Sequence, residues 1–495
     1  MTPSAYTTPR ERALSLRKGE LTLTARRSTA RTSCTLTCAL VLFTTGCNVG
    51  PRYTRPSAPV PPAFRGADDA AVATAPNTSL GDQRWAQVFR EPELQDLIRT
   101  ALNNNFDLRI AAQHVLEANA QVKITRAQEF PQINFSGLGA GAEFPNNLGS
   151  NIQSPIEIGS YSISAAWIPD FWGLYRKQTE AARDQLLAQQ WAQRAVRLSL
   201  VQQVATIYFQ LRELDQQLAI AKQTARVRQD SVDLTRKLEA GGAAPLSDVR
   251  QAEQLLYTAS AQIPLIEQQI QQNENALRLL LGQNPGPVGH TDPNALAPPP
   301  EDLPVGLPSQ LLERRPDIQQ AEAQLRAANA QVGVARAQFF PQISISASGG
   351  LGGSTFASLF NLSGQTVYGL GEFTQPIFEG GKLRGQLELS EHQKQEMILN
   401  YQKAVATAFR DVSNALIAVN KQRTAREQQQ KLVAAAQDAT RLARIRYQGG
   451  ATSYLEVLTT DSNLFAAQLN LASAQQNEAL SLVQLYGALG GGWQP

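Results

Sequence analysis

The chain has 495 residues, of which 18% are charged and 42% hydrophobic, with a net charge of +3. That length admits two to four ordinary domains, and the near balance of charge argues against a nucleic-acid binder, which concentrates Lys and Arg on one surface. The three cysteines, Cys34, Cys38 and Cys47, fall in the first tenth, so the 448 residues after Cys47 hold no disulfide, no catalytic thiolate and no cysteine metal site.

In chain order the first element is a leader. Arg26, Arg27 and Arg31 precede a short apolar run ending at Phe43, the order of an export signal and too short to span a bilayer. The stretch Leu42-Phe43-Thr44-Thr45-Gly46-Cys47 resembles a bacterial lipobox. Residues 1–46 therefore read as a signal peptide, long for its kind. Cys47 reads as the acylated mature N-terminus, carrying a diacylglycerol and a fatty acid. The Pro-rich stretch that follows cannot be helical, and 47–90 read as the lipidated N-terminus and an extended strap. No later segment offers eighteen consecutive apolar residues. If the chain crosses a membrane, it crosses as a barrel.

A helical pattern over 91–128 stops at Pro131, and a second over 308–338 stops at Pro341. The two end in nearly the same words, ANAQVKITRAQEFPQI from Ala118 and ANAQVGVARAQFFPQI from Ala328, identical at twelve of sixteen positions. Chance does not readily deliver that at one fixed offset, so the chain reads as an internal duplication. After each stop the pattern changes to period two. Ile133 and Phe135 open one strand, 161–167 with Tyr161, Ile163, Ala165 and Trp167 on one face form a second, Ile343 and Ile345 open a third, and 367–373 is a poorly alternating fourth.

Each copy then turns into a long helix, 177–239 and 383–448, without an internal proline. In the later one Ile398, Tyr401, Val405, Phe409, Val412, Leu416 and Val419 recur at steps of three and four, a coiled-coil seam. Sixty-odd residues make a helix roughly 95 Å long. Both end in a double glycine, Gly241-Gly242 and Gly449-Gly450, from which a second helix runs back to Leu281 or Leu489. The expected organisation is a first repeat at 91–284, a linker at 285–308, a second repeat at 309–490 and a tail at 491–495. Four membrane-length strands cannot close a transmembrane barrel, which needs about eight and leaves no edge in lipid. A cyclic trimer supplies twelve. The expected fold is thus mainly α with a membrane β-barrel: a trimeric twelve-stranded barrel continuing into a long α-helical tunnel.

At this point the chain resembles the outer-membrane efflux proteins of the TolC family, in particular their lipoprotein OprM-like (NodT) branch. The matching phrases are Cys47-Asn-Val-Gly-Pro-Arg-Tyr-Thr-Arg-Pro56, Trp85-Ala-Gln-Val-Phe89, Leu311-Leu-Glu-Arg-Arg-Pro-Asp-Ile318 and Gln375-Pro-Ile-Phe-Glu-Gly-Gly381. The resemblance implies a homotrimer in the outer membrane of a Gram-negative bacterium that reaches through the periplasm. It also implies partnership with a periplasmic membrane-fusion adaptor and an inner-membrane RND-type transporter, for which it is the passive exit duct for small molecules. A duct for type I protein secretion is the alternative within this class. A structural coiled-coil lipoprotein would leave the strand pairs unexplained. His114, His290 and His392 stand singly, with no nucleophile elbow or phosphate loop, so no enzyme is expected and no cofactor beyond the lipid on Cys47.

The candidate sites follow. Gly241, Gly242, Gly449, Gly450 and Ser453 lie at the hairpin turns, which the resemblance makes the periplasmic tip and the adaptor's docking place; helix capping alone also accounts for them. Glu456 has two readings: a gate, in which three carboxylates meet on the trimer axis, or the end of a capping box that begins at Ser453. Tyr161 and Trp167, at opposite ends of the expected strand, fit an aromatic girdle.

Overall fold

The computed structural model describes residues 49–66, 79–142, 156–289, 304–355 and 361–493. Cys47, and with it the lipobox, lies outside the described residues, as does the Pro298-Pro299-Pro300 run of the linker.

The first repeat comprises helices α1 (Pro92–Asn104) and α2 (Phe106–Ala127), strands β1 (Gln132–Ala142) and β2 (Ile156–Trp167), and helices α3 (Leu174–Ala240) and α4 (Leu246–Leu280). In the second, a one-turn helix, Leu311–Arg314, precedes α5 (Pro316–Ala337), strands β3 (Gln342–Gly353) and β4 (Gln365–Thr374), and helices α6 (Lys382–Gln448) and α7 (Tyr454–Ala488). The twin elements match residue for residue: α3 and α6 have 67 residues each, α4 and α7 have 35, and α2 and α5 have 22. At 1.5 Å per residue, α3 and α6 are each roughly 100 Å long.

The expected helix over 91–128 is two helices. Asn105 breaks it: its Oδ1 accepts from the Leu108 amide (3.0 Å), capping α2, while its Nδ2 donates to the Leu280 carbonyl (3.0 Å) at the end of α4. The second repeat breaks at the twin position, Arg315, which donates to the Ala488 carbonyl (3.1 Å) at the end of α7. The duplication therefore extends to contacts. Gly282 and Gly490, both at positive φ, end α4 and α7 against Asn104 and Arg314 respectively.

Two compact units cut across the two repeats: one gathers residues up to Tyr53 with Val122–Ala182 and Ala328–Gln393, the other Thr54–Gln121, Arg183–Ala327 and Lys394–Pro495. The first holds the sheet, four antiparallel strands in the order β1-β2-β3-β4. Its register sets Ile133 opposite Ala165, Phe135 opposite Ile163, Trp167 opposite Ile345 and Ile343 opposite Phe373, so one face is apolar. The other face carries Ser136, Ser160, Ser162, Ser164, Ser344, Ser346 and Ser348, with Ser136 and Ser162 hydroxyls 2.9 Å apart. The weak alternation of β4 now has a cause: Gly369 and Gly371 fall on the apolar face while Tyr368 and Leu370 fall on the hydroxyl face. An apolar face and a hydroxylated one are what lipid and a water-filled lumen require of a single strand layer. Among the described residues no helix is long and apolar enough to cross a membrane.

The second unit holds the helical hairpins. The predicted seam of α6 is there: Tyr401, Val405, Phe409, Val412, Leu416 and Val419 are buried and Ile398 is half-buried. The strap lies against both repeats in the first unit and along the second repeat in the second unit. In the first, Val49 donates to the Trp172 carbonyl and the Pro51 carbonyl accepts from Asn329. In the second, Arg55 pairs at 2.6 Å with buried Glu322, Phe64 packs on Phe409 and the Gly66 carbonyl accepts from Asn420.

Candidate functional site: the hairpin tips

Both hairpins turn in the same way. After α3, Gly242 has φ +72° and the Ala243 amide donates back to Leu238 (2.8 Å); after α6, Gly450 has φ +68° and the Ala451 amide donates back to Arg446 (2.8 Å). These bonds satisfy carbonyls that a helix end leaves open, with the left-handed residue that favours glycine. Gly241 and Gly449 are different. An added Cβ at either meets only its own helix's carbonyls at 3.5 Å, ordinary contact, and neither has a positive φ. The turn geometry therefore explains one glycine of each pair.

Pro245 and Ser453 occupy the N-caps of the return helices. The capping box expected of Ser453 and Glu456 is not formed, because Ser453 makes no side-chain cap bond. Glu456 instead accepts from Arg446 Nη1 (2.8 Å), across the turn, and from the Thr452 hydroxyl. The last turn of α6 carries the cation and the first turn of α7 the anion, each at the helix end whose dipole suits it.

Behind the turns, all four hairpin helices share one small core of Val232, Ala252, Ala443, Tyr454 and Val457. Burial, then the Asp461 carboxylate, pushes the Tyr454 phenol up to about 12. Burial also raises the Tyr447 phenol, which hydrogen-bonds Asp248 of the other hairpin. Beside this core is a charge cluster that sequence reasoning missed. Asp461 of α7, itself buried, accepts from Arg228 Nε of α3 (2.8 Å) and from Arg444 of α6 (2.7 Å). Arg228 further donates to the Leu255 carbonyl of α4 (2.7 Å), so one guanidinium touches both hairpins. A signal was present: Asp461 follows Val457 by four and precedes Phe465 by four, putting a charge at a position of the apolar seam.

The sheet revises one expectation. Strand β2 begins five residues before Tyr161, because 156–160 continue the pairing with β1, so Tyr161 is mid-strand and packs on Phe135. Trp167 ends the strand, its indole donating to the Glu129 carbonyl (3.1 Å). The two aromatics mark the centre and one rim of the sheet, not two rims.

Comparison with known proteins places this architecture. The family model described as "Outer membrane efflux protein" matches residues 97–283 and again 307–491, once per repeat. The chain belongs to that family. It is 36% identical over 458 residues to the cation efflux system protein CusC of Escherichia coli O6:H1, covering 92% of this chain and 98% of the relative. It is also 36% identical over 461 residues to the probable efflux pump outer membrane protein TtgC of Pseudomonas putida, covering 90% and 93%. A crystal structure of CusC superposes with a TM-score of 0.80 at 34% identity, covering 90% of this chain and all of that one. The efflux family's fold is the trimeric twelve-stranded barrel with a helical tunnel, four strands and two hairpins from each chain, and the protein is an outer-membrane efflux channel that reaches into the periplasm.

Proposed function

We propose that this channel is the passive exit duct of a tripartite pump for small organic molecules, with an RND-type transporter supplying the energy and a periplasmic adaptor docking at the hairpin tips. The observation that carries the reading is the pairing of a two-faced sheet with hairpins whose turns carry a glycine the turn does not need. Gly241 and Gly449 keep the tip surface low, so that a helical partner approaches closely. The hydroxylated sheet face favours small polar or amphipathic cargo over a soft metal ion, since the chain after Cys47 has one thioether, Met397, and no thiol with which to hold one. Cys47 is the lipid anchor in this reading, an aid to membrane residence beside the barrel. Glu456, reaching the tip at the start of α7, is the gate residue, with its three copies drawn to the axis once the Arg446 pair is given up.

The test is reconstitution in cells lacking their own outer-membrane efflux channels. The chain is expressed with a periplasmic adaptor and an RND-type transporter from the same organism, and efflux of a fluorescent amphipathic dye is followed. Dye export that requires all three proteins is the expected result. Export of a secreted polypeptide, with no dye movement, would replace the small-molecule reading by the secretion one.

A further inference from the structure

The duplication makes the two copies of each element nearly interchangeable, yet α2 and α5 differ in how much their own chain covers them. In α5, Ile318, Ala323, Leu325, Ala330, Val332 and Val334 are buried; in α2 no residue is. The twin of Val334 (7% exposed) is Ile124, at 60%. The difference lies in neighbours. Helix α5 touches α6 through Arg336 and Glu391 (3.0 Å) and also touches α3, where Lys177 lies along Gly333: an added Cβ there would come within 3.1 Å of Lys177 Cδ. Just past the end of α2, Glu129 accepts from Thr179 of α3 (2.5 Å), but among the described residues α2 has no counterpart of the Gly333–Lys177 contact.

At the missing contact the residue types are exchanged. The twin of Gly333 is Lys123, and the twin of Lys177 is Gly385, where an added Cβ meets nothing within 4 Å. One side of the joint is large where the other is small, in opposite senses in the two repeats. Glu180, whose carboxylate lies 2.6 Å from the Lys177 amine, has Glu388 as its twin. A second pair behaves likewise. Trp172 stacks on Phe340 within the chain (centroids 5.0 Å), whereas Phe130, the twin of Phe340, is 54% exposed and Ile377 and Phe378, in the segment matching Asp170-Phe171, are 95% and 88% exposed.

We infer that α2 of one chain seats against α6 of a second copy, Lys123 lying over the second copy's Gly385 with its amine toward that copy's Glu388, and Phe130 receiving that copy's Ile377 and Phe378. The second copy is the occupant because each of these exposed groups has a covered twin, and the covering element is the other repeat. Edge strands β1 and β4, unpaired in a single chain, continue the same seam. The inference rests on the family's trimer and adds which side chains close it. It also explains why the intrachain joint has a glycine on α5: the strap crosses there, an added Cβ on Gly50 coming within 3.0 Å of the Gly333 Cα.

The experiment uses the mature chain's freedom from thiols other than Cys47. Two full-length versions with different tags, Lys123→Cys and Gly385→Cys, are co-expressed and treated in membranes with a short bismaleimide. Cross-linked dimers carrying both tags are expected, whereas Lys177→Cys with Gly333→Cys in one chain should cross-link only internally. Intact trimers with no mixed-tag product would overturn the seam while leaving the channel assignment untouched. Independently, Gly385→Lys should lower the temperature at which trimers dissociate by several degrees, and Lys123→Gly added to it should restore the value. If the second substitution gives no recovery, the exchange of large and small is accidental and the inference fails.

Discussion

Asp461 is a carboxylate on an apolar seam, where two guanidiniums from two other helices converge on it. Two buried partners would strand one another if either were lost, and removal of one member of such a pair typically costs about 3 to 5 kcal/mol. Asp461→Ala is therefore expected to loosen the tip, read as faster amide hydrogen exchange in 440–465 with the sheet unchanged; unaltered exchange would show that water reaches Arg228. Glu456 is the contrasting case. Its pair with Arg446 is solvent-exposed, the two side chains 35% and 55% accessible, and exposed pairs contribute at most about 1 kcal/mol. Glu456→Gln should leave folding intact and weaken block of single-channel current by a trivalent cation added from the periplasmic side. Undiminished block would confine Glu456 to its Arg446 pair.

At the scale of elements, the glycine pairs separate geometry from surface. Gly242→Ala puts a side chain at φ +72°, which costs roughly 1 to 2 kcal/mol, and should lower the thermal stability of the hairpin. Gly241→Ala with Gly449→Ala should leave stability within about 0.5 kcal/mol but weaken adaptor binding in a pull-down; equal binding would remove these positions from the docking surface. Helix lengths, the strand pairs and the duplication were legible beforehand because each is written in local periodicity and repeated. The break at Asn105 was not, since its carboxamide works on the carbonyl of Leu280, 175 residues away. The start of β2 was missed because 156–160 mixes glycine and serine with its apolar residues. Of the two readings of Glu456 the capping box does not form, because Arg446 and Thr452, brought close by the turn, take the Glu456 carboxylate.

For the whole molecule, the barrel and the lipid proposed on Cys47 are predicted to be separate holds on the membrane. Cys47→Ser should abolish acyl labelling and retard removal of the leader, yet a chain given an ordinary cleavable signal should still insert and run as a trimer by native mass; loss of insertion would make the lipid the main anchor. The strap carries a further consequence. It crosses one α5 joint in each chain, and among the described residues no strap contact reaches the inferred α2 joint. A ring of three chains then alternates tied and untied joints, like a barrel with hoops over every second stave. Strain from lateral pressure or from a pulling partner parts the untied joints first, so dilation of the ring proceeds with threefold symmetry.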